Sequence, residues 1–212
     1  MFMKNLKKLS YLVVLISLSY ANAGSFEDFY IAVRNDNIGT LNGLLDRGFD
    51  PNTRNEKGQI GLVLAMQEHS LKAARALLAR PATDIDALNG SGESALMMAA
   101  LKGDIEGMQL LLGRGAKVNQ AGWSAIHYAA TGPEAKAVAL LLERGAAIDA
   151  RSPNDSTPLM MAAQYGSEDS VTLLLARGAD PKLRNQLKLG PAEFARRAGR
   201  ESLAKQLAQL GG

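Results

Sequence analysis

Apolar residues along most of this chain recur at the three- and four-residue spacing of amphipathic helices, in short runs separated by glycines and polar residues. The clearest pair of runs lies between Thr157 and Asp180. Thr157 can cap a helix with its hydroxyl, and Pro158 suits the first helical position, where a missing N–H costs nothing. Gly166 is expected to end this helix. The pattern therefore predicts two short helices joined by a turn.

The second of these helices is expected to run to about Arg177, with one apolar stripe formed by Val171, Leu174 and Leu175. Gly178 follows at the position where a left-handed C-terminal cap is favoured. Neither helix is long enough or apolar enough on all sides to be stable alone. The pair therefore needs neighbours of its own kind.

The same pattern recurs at intervals of 30 to 34 residues, which predicts six units. The third, fourth and fifth units are clear, whereas the others are weaker, and in the first unit the first helix is reduced to residues 29–33. The approximate bounds of the six units are 25–54, 55–88, 89–120, 121–151, 152–184 and 185–212.

The fifth unit resembles the repeat of the ankyrin-repeat family. Its sequence Thr157-Pro-Leu-Met-Met-Ala-Ala-Gln-Tyr-Gly166, with Gly178-Ala-Asp180 after the second helix, follows the family pattern Gly-x-Thr-Pro-Leu-His-x-Ala-Ala-x-x-Gly and Gly-Ala-Asp. The similarity extends from about Ser25 to the C-terminus. The resemblance implies an all-α protein, an α-solenoid of six helix–turn–helix repeats whose loops project as fingers beside a concave face.

Two irregularities interrupt the repeats. The second unit ends in Arg80-Pro81, and because proline cannot adopt a left-handed cap, the chain must leave that helix differently. The segment from Ala116 to Ser124 is three residues shorter than its counterpart in the next unit, so this finger should be short. It carries Trp123, the only tryptophan.

Residues 1–23 have the three parts of a secretory signal peptide. Lysines precede an apolar run from Leu9 to Tyr20, and Ala21-Asn22-Ala23 offers a cleavage site. The alternative is a membrane anchor, but a membrane-spanning helix needs about 20 residues and this run is shorter. We therefore expect cleavage after Ala23, no membrane insertion afterwards, and a periplasmic domain at 24–212.

Charge and cysteine content limit the kind of partner and the source of the protein's stability. The chain has 24 basic and 21 acidic residues, and three of the lysines lie in the signal segment, so the remainder is balanced. Nucleic-acid binding is therefore not expected, and the cluster of Arg196, Arg197 and Arg200 is interpreted as a solvated face. There is no cysteine, so stability must come from stacking of the repeats in one elongated, monomeric domain.

Convergent catalytic groups are scarce. The sequence has no Gly-x-Ser-x-Gly elbow and no phosphate-binding loop, so we expect neither an enzyme nor a cofactor. His127 occupies the histidine of the family pattern, where the resemblance implies a structural role between turn and helix. Met97, His127 and Met160 hold the same position in three successive units, which leaves a periplasmic metal- or small-molecule-binding protein that uses this row as the alternative. Neighbouring helices about 8 to 10 Å apart do not by themselves bring such ligands together.

The resemblance implies recognition of a protein partner through the finger tips and first helices, as a scaffold, protector or inhibitor of an exported protein. By register, the expected partner-binding residues are Glu56, Lys57, Gln59, Glu93, Lys102, Gln120, Trp123, Asn154, Ser156 and Tyr165. Trp123 is either an exposed anchor for the partner or a ring folded over the short finger. A further row is either groove or core: Leu64, Met98, Tyr128, Met161 and Phe194.

Overall fold

The structure, a computed structural model, describes residues 24–211, and the expected signal segment lies outside them. The described chain is helical apart from turns and one isolated β-bridge between Arg54 and Ile60. Its helices are α1 (24–34), α2 (Ile38–Asp46), α3 (Gly61–Gln67), α4 (Leu71–Leu78), α5 (Ala95–Lys102), α6 (Ile105–Gly113), α7 (Ala125–Thr131), α8 (Ala135–Glu143), α9 (Pro158–Gln164), α10 (Glu168–Ala176), α11 (Pro191–Arg197) and α12 (Glu201–Gly211).

The helices form a stack of six helix–turn–helix repeats. The first helices α3, α5, α7, α9 and α11 pack in succession, and the second helices pack behind them, α2 on α4, α6 on α8 and α8 on α10. The core lies between the two layers and runs the length of the stack. The predicted all-α solenoid with projecting fingers is confirmed.

Helix ends follow the sequence signals. The Thr157 hydroxyl accepts a hydrogen bond from the Met160 N–H at 3.4 Å, and Pro158 is the first residue of α9. Gly178 has a φ of +94°, a conformation that costs glycine nothing, and the Ala179 N–H donates to the Leu174 carbonyl at 2.9 Å. These local bonds satisfy the backbone groups that helix ends leave open.

The second repeat ends its second helix in another way, as expected from Pro81. Ala79 stays right-handed with a φ of −71°, and the Thr83 hydroxyl donates to the Leu77 carbonyl at 2.5 Å. A side chain thus replaces the glycine cap.

A ladder of amide and carboxylate side chains joins consecutive repeats behind the fingers. In each step an oxygen of one repeat accepts the backbone N–H of the next. The steps are Asn52 with Asp84 at 2.8 Å, Asp86 with Lys117 at 2.8 Å, Asn119 with Ala147 at 2.9 Å, and Asp149 with Asp180 at 3.2 Å. Burial, and then the like charge of Asp180, raises the pKa of the Asp149 carboxyl, while the N–H bond opposes the shift.

His127 has the structural role that the family resemblance implied. Its ring is fully buried, Nδ1 accepts from the Ser124 N–H at 3.3 Å, and Nε2 donates to the carbonyls of Ala150 and Ser156 at 3.0 and 3.1 Å. One neutral ring therefore ties its own helix N-terminus to the next finger. Burial lowers the pKa of His127, partly offset by the backbone bonds.

The interpretation of the arginine cluster as a solvated face is wrong for Arg200. Its Nη1 donates to the carbonyls of Ala162, Ala163 and Gly166 at 3.0, 3.1 and 2.9 Å. Arg200 therefore closes the C-terminal end of α9 from the neighbouring repeat. Arg196 and Arg197 are exposed, as expected.

Candidate protein-binding groove

Four of the fingers end in the same five-residue turn. The N–H of the first residue donates to the carbonyl of the fifth, and the fourth residue has a positive φ between 60° and 78°. The turns comprise residues 55–59, 89–93, 152–156 and 185–189. We number the fingers by repeat, so these are fingers two, three, five and six.

Finger four is the short finger and lacks this turn. Asn119 is occupied in the ladder, and the Gln120 amide donates directly to the Trp123 carbonyl at 3.0 Å. Gly122 has a φ of +79° and completes a tighter bend. The predicted short finger is thereby confirmed.

The remaining fingers are coupled in two pairs. The Gly90 N–H donates to the Gly58 carbonyl at 2.9 Å, and a Cβ on Gly58 would lie only 2.8 Å from the Gly90 Cα, so this approach requires glycine. The Gln186 N–H donates to the Asn154 carbonyl at 3.1 Å. Between fingers three and five the row of full turns is interrupted by the short finger four, residues 119–123. We call this interruption the slot.

Two aromatic side chains, Trp123 and Tyr128, and one carboxylate, Glu93, lie at the slot. Trp123 is partly exposed and packs edge-on against His127, with ring centroids 5.3 Å apart. The Tyr128 hydroxyl donates to Glu93 Oε1 at 3.3 Å, and the Asn89 amide donates to Oε2 at 2.8 Å. Burial, and then the Glu93 charge, raises the pKa of Tyr128 to about 12, so the phenol stays protonated and can donate.

The expected partner-binding residues differ in accessibility. Those with exposed side chains are Glu56, Lys57, Lys102, Asn154 and Tyr165, and those only partly exposed are Gln59, Glu93, Gln120 and Trp123. Ser156 is 1% exposed, so its side chain cannot contact a partner in this conformation. The register placed it on a finger, but the fifth residue of that turn is covered.

The structure brings only some of these residues together. Gln120 and Trp123 share the short finger, and Glu93 reaches the next repeat through Tyr128. Lys102 lies at the other end of its helix, where it lines a cleft of about 560 Å³ with His69 and Asp104. The sequence does not predict the hydrogen bond from Tyr128 to Glu93. The available signal is a tyrosine at a position that is apolar in the other repeats, since its hydroxyl needs a partner.

Most side chains of the row that the sequence left as either groove or core are buried in the core. Leu64, Met98 and Phe194 are 1%, 4% and 8% exposed. Tyr128 and Met161 remain partly exposed. The row therefore opens to the groove only in the fourth and fifth repeats, next to the slot.

The atoms that would bind a metal ion in the row of Met97, His127 and Met160 already accept hydrogen bonds from backbone N–H groups. Met97 Sδ accepts the Ser94 N–H and Met160 Sδ accepts the Thr157 N–H, each at 3.4 Å. These are the same contacts that His127 Nδ1 makes in its repeat. Among residues 24–211 no group of three or more His, Cys, Asp or Glu side chains is placed to hold a metal ion. No helix in that range is long and apolar enough to cross a membrane.

Comparison with known proteins identifies the family. Residues 29–121 and 118–185 match a family model described as "Ankyrin repeats (3 copies)". The chain belongs to the ankyrin-repeat family. This ankyrin-repeat protein is 28% identical over 170 residues to a putative ankyrin repeat-containing protein of Treponema pallidum (strain Nichols), covering 80% of this chain and 47% of the relative.

A second relative is the transient receptor potential cation channel subfamily A member 1 of Homo sapiens, 26% identical over 161 residues. That alignment covers 71% of this chain and 14% of the channel. The ankyrin-repeat protein thus spans less than half the length of either relative.

A solved structure has the same fold. It is a chain in the complex of the Bd0816 predatory endopeptidase from Bdellovibrio bacteriovorus with immunity protein Bd3460. The TM-score is 0.73 at 23% identity, over 86% of this chain and 97% of that chain. At this level of identity the likeness establishes a shared ankyrin-repeat architecture.

Proposed function

We propose that this ankyrin-repeat protein is a non-catalytic inhibitor that binds an exported protein through its groove and slot, with exported peptidases as the first class to test. The observation that carries the proposal is the slot itself. A regular row of fingers is interrupted at one repeat, and at that repeat partly exposed aromatic side chains face the surface. Aromatic residues are enriched among the anchors of protein interfaces.

Two further observations support this proposal. Proteins of this family generally act as binding modules, and the fold resembles a chain from a complex between a peptidase and its immunity protein. We also propose that residues 1–23 direct export to the periplasm and that the remaining chain acts as a monomer. The balanced charge of that remainder favours a protein partner over nucleic acid.

Capture from a periplasmic extract tests the proposal. The chain beginning at Gly24 is immobilised, crosslinked to the extract, and compared with variants that change one exposed lysine. Lys57→Ala alters a finger tip, and Lys136→Ala makes the same change on the second helix α8. A third variant, Trp123→Ala, alters the slot. The proposal requires a specific partner whose capture falls with Lys57→Ala or Trp123→Ala. Capture should be unchanged by Lys136→Ala. A captured peptidase must also lose activity when the protein is added.

Export is tested separately by mass spectrometry of the protein recovered from cells. A first residue of Gly24 in the periplasmic fraction supports the compartment. An intact Met1 in the cytoplasm contradicts it and removes exported peptidases as candidates.

The metal-binding alternative is not proposed as a second function. The three atoms that would bind the ion, in Met97, His127 and Met160, each accept a hydrogen bond from the backbone of their own repeat. All three side chains are fully buried. Metal binding at this row would therefore require breaking helix caps.

A further inference from the structure

We propose that the slot recognises one basic side chain, lysine or arginine, on a protruding loop of the protein partner. This inference rests on the proposed function, because it specifies the chemistry of the partner at the same site. It is carried by the placement of Glu93 relative to Tyr128 and Trp123.

Glu93 is a carboxylate held in place by neutral groups. Its two oxygens accept from the Asn89 amide and the Tyr128 hydroxyl, and neither brings a positive charge. Among residues 24–211 Glu93 forms no ion pair, as is true of most acidic residues there, but it differs from them in that neutral side chains of two repeats hold its two oxygens. The carboxylate is therefore oriented but lacks a cationic partner.

The surroundings of the slot favour a positively charged ligand. Residues 89–93, 119–123 and 152–156, which form fingers three, four and five, contain Glu93 and Asp155 as acids and no basic residue. The nearest base in sequence is Arg151, whose Nη1 donates to the carbonyls of Asp155 and Arg184, both at 3.0 Å. The Arg151 guanidinium is thus bonded to finger five and to the residue just before finger six, and it forms no ion pair with Glu93.

Trp123 provides the second half of the site. Glu93 and Trp123 hold the same position in consecutive repeats, immediately before the residue that caps the first helix. Tyr128, which holds Glu93, belongs to the same repeat as Trp123. The proposed site therefore places the cation between the Glu93 carboxylate and the indole ring, where cation–π attraction acts within about 6 Å of the ring.

The shape of the slot requires a protruding ligand. Fingers three and five keep their complete turns on either side, whereas finger four is three residues shorter than its counterpart. A flat surface resting on the finger tips would stay above Trp123. A loop that carries one long side chain reaches both the ring and the carboxylate.

The chain itself offers a matched variant for the test. Finger two has Gln59 at the position of Glu93, and its side-chain oxygen accepts the Asn55 amide at 2.7 Å. Glu93→Gln therefore removes the charge while keeping a side chain that this turn already accommodates. Glu143→Gln is the control, since Glu143 is exposed at the end of α8 and forms no ion pair among the described residues.

The probe is a cyclic peptide with one arginine flanked by glycine and serine, compared with the same peptide carrying citrulline, which has the same shape without the charge. Fluorescence of Trp123 reports binding directly, because no other tryptophan contributes. We expect saturable binding of the arginine peptide and at least about tenfold weaker binding of the citrulline peptide. Glu93→Gln should weaken the arginine peptide about tenfold and Glu143→Gln should leave it unchanged. Thermal unfolding confirms that both variants are folded.

Equal binding of the two peptides, or equal binding by wild type and Glu93→Gln, overturns this inference. Periplasmic capture with Glu93→Gln separates it from the proposed function. A partner captured equally by wild type and Glu93→Gln leaves the proposed function standing and overturns the basic-side-chain site. Absence of a specific partner for wild type overturns the proposed function.

Discussion

Tyr30 and His127 hold the same position in the first and fourth repeats and donate to equivalent pairs of carbonyls, one just before the finger that follows and one at its last residue. The Tyr30 hydroxyl donates to Thr53 and Gln59 at 2.6 and 3.0 Å, as His127 Nε2 donates to Ala150 and Ser156. His127 also accepts at Nδ1, a task that Met97 and Met160 perform with sulfur. Histidine at this position therefore both donates to the next finger and accepts an N–H at its own helix N-terminus. Tyrosine at the same position only donates, and methionine only accepts.

Removing the Tyr30 hydroxyl should destabilise the first repeat. Tyr30→Phe leaves two carbonyls without this donor, and because the residue is only 6% exposed, we expect a loss of about 1 to 3 kcal/mol in the free energy of unfolding. Urea unfolding measures it. Tyr165→Phe is the control, since Tyr165 is 59% exposed, and an equal loss in both variants would contradict this account.

Stability should depend on pH through His127. Because burial lowers its pKa from 6.5, the unfolded chain binds more protons than the folded chain just below that pH. The contribution of neutral His127 is therefore complete above about pH 6.5 and is lost as the pH falls towards the folded pKa. Urea unfolding between pH 8 and 5 should show this decline, with the pH range chosen to bracket the free histidine value.

His127→Met isolates that dependence. Methionine stands at the same position in two other repeats and keeps the acceptor, so the variant should fold, lose about 1 to 3 kcal/mol at pH 8 and show a smaller pH slope. His69→Asn tests the other histidine separately, because its Nδ1 lies 2.9 Å from Asp104 and asparagine tolerates its φ of 57°. The same slope in wild type and His127→Met would exclude His127 as the source.

Gly166 should not tolerate a side chain. A Cβ there would lie 2.1 Å from the Ala130 carbonyl oxygen of the neighbouring repeat, so Gly166→Ala forces the repeats apart. We expect a loss of at least about 1 to 3 kcal/mol in the free energy of unfolding. Gly113→Ala, at a helical site with nothing within 4 Å, should be neutral or more stable by up to about 1 kcal/mol. Similar effects at both sites would refute the close approach.

Arg200 should contribute to stability and Arg197 should not. Arg200→Gln removes the donor shared by three carbonyls at the end of α9, and we expect a loss of about 1 to 3 kcal/mol by urea unfolding. Arg197→Gln changes an exposed side chain in the same cluster and should stay within about 0.5 kcal/mol of wild type. A larger effect at Arg197 would restore the interpretation of a shared charged face.

Local chemistry made much of the fold predictable. Thr157, Pro158 and Gly178 specify helix ends through their own backbone preferences, and the three missing residues of finger four are visible by alignment of the repeats. Contacts between repeats were harder to predict. Ser156 is covered by tertiary packing, and Arg200 points to a helix 34 to 38 residues earlier, neither of which a pattern within one repeat indicates.

The candidate site was predictable only in outline. Register alone placed Glu93 and Trp123 on fingers, because the position in each repeat fixes the element. It did not indicate that Glu93 lacks a cation or that Tyr128 holds it, since both depend on side chains in the adjoining repeat.

The amide and carboxylate ladder has a direction, because each repeat accepts an N–H from its successor. The next equivalent position, just before finger six, is Lys182, whose ammonium has no lone pair with which to accept an N–H. An engineered chain with a seventh unit would therefore lack this anchorage, and grafting asparagine at 182 would be the first change needed to lengthen the array.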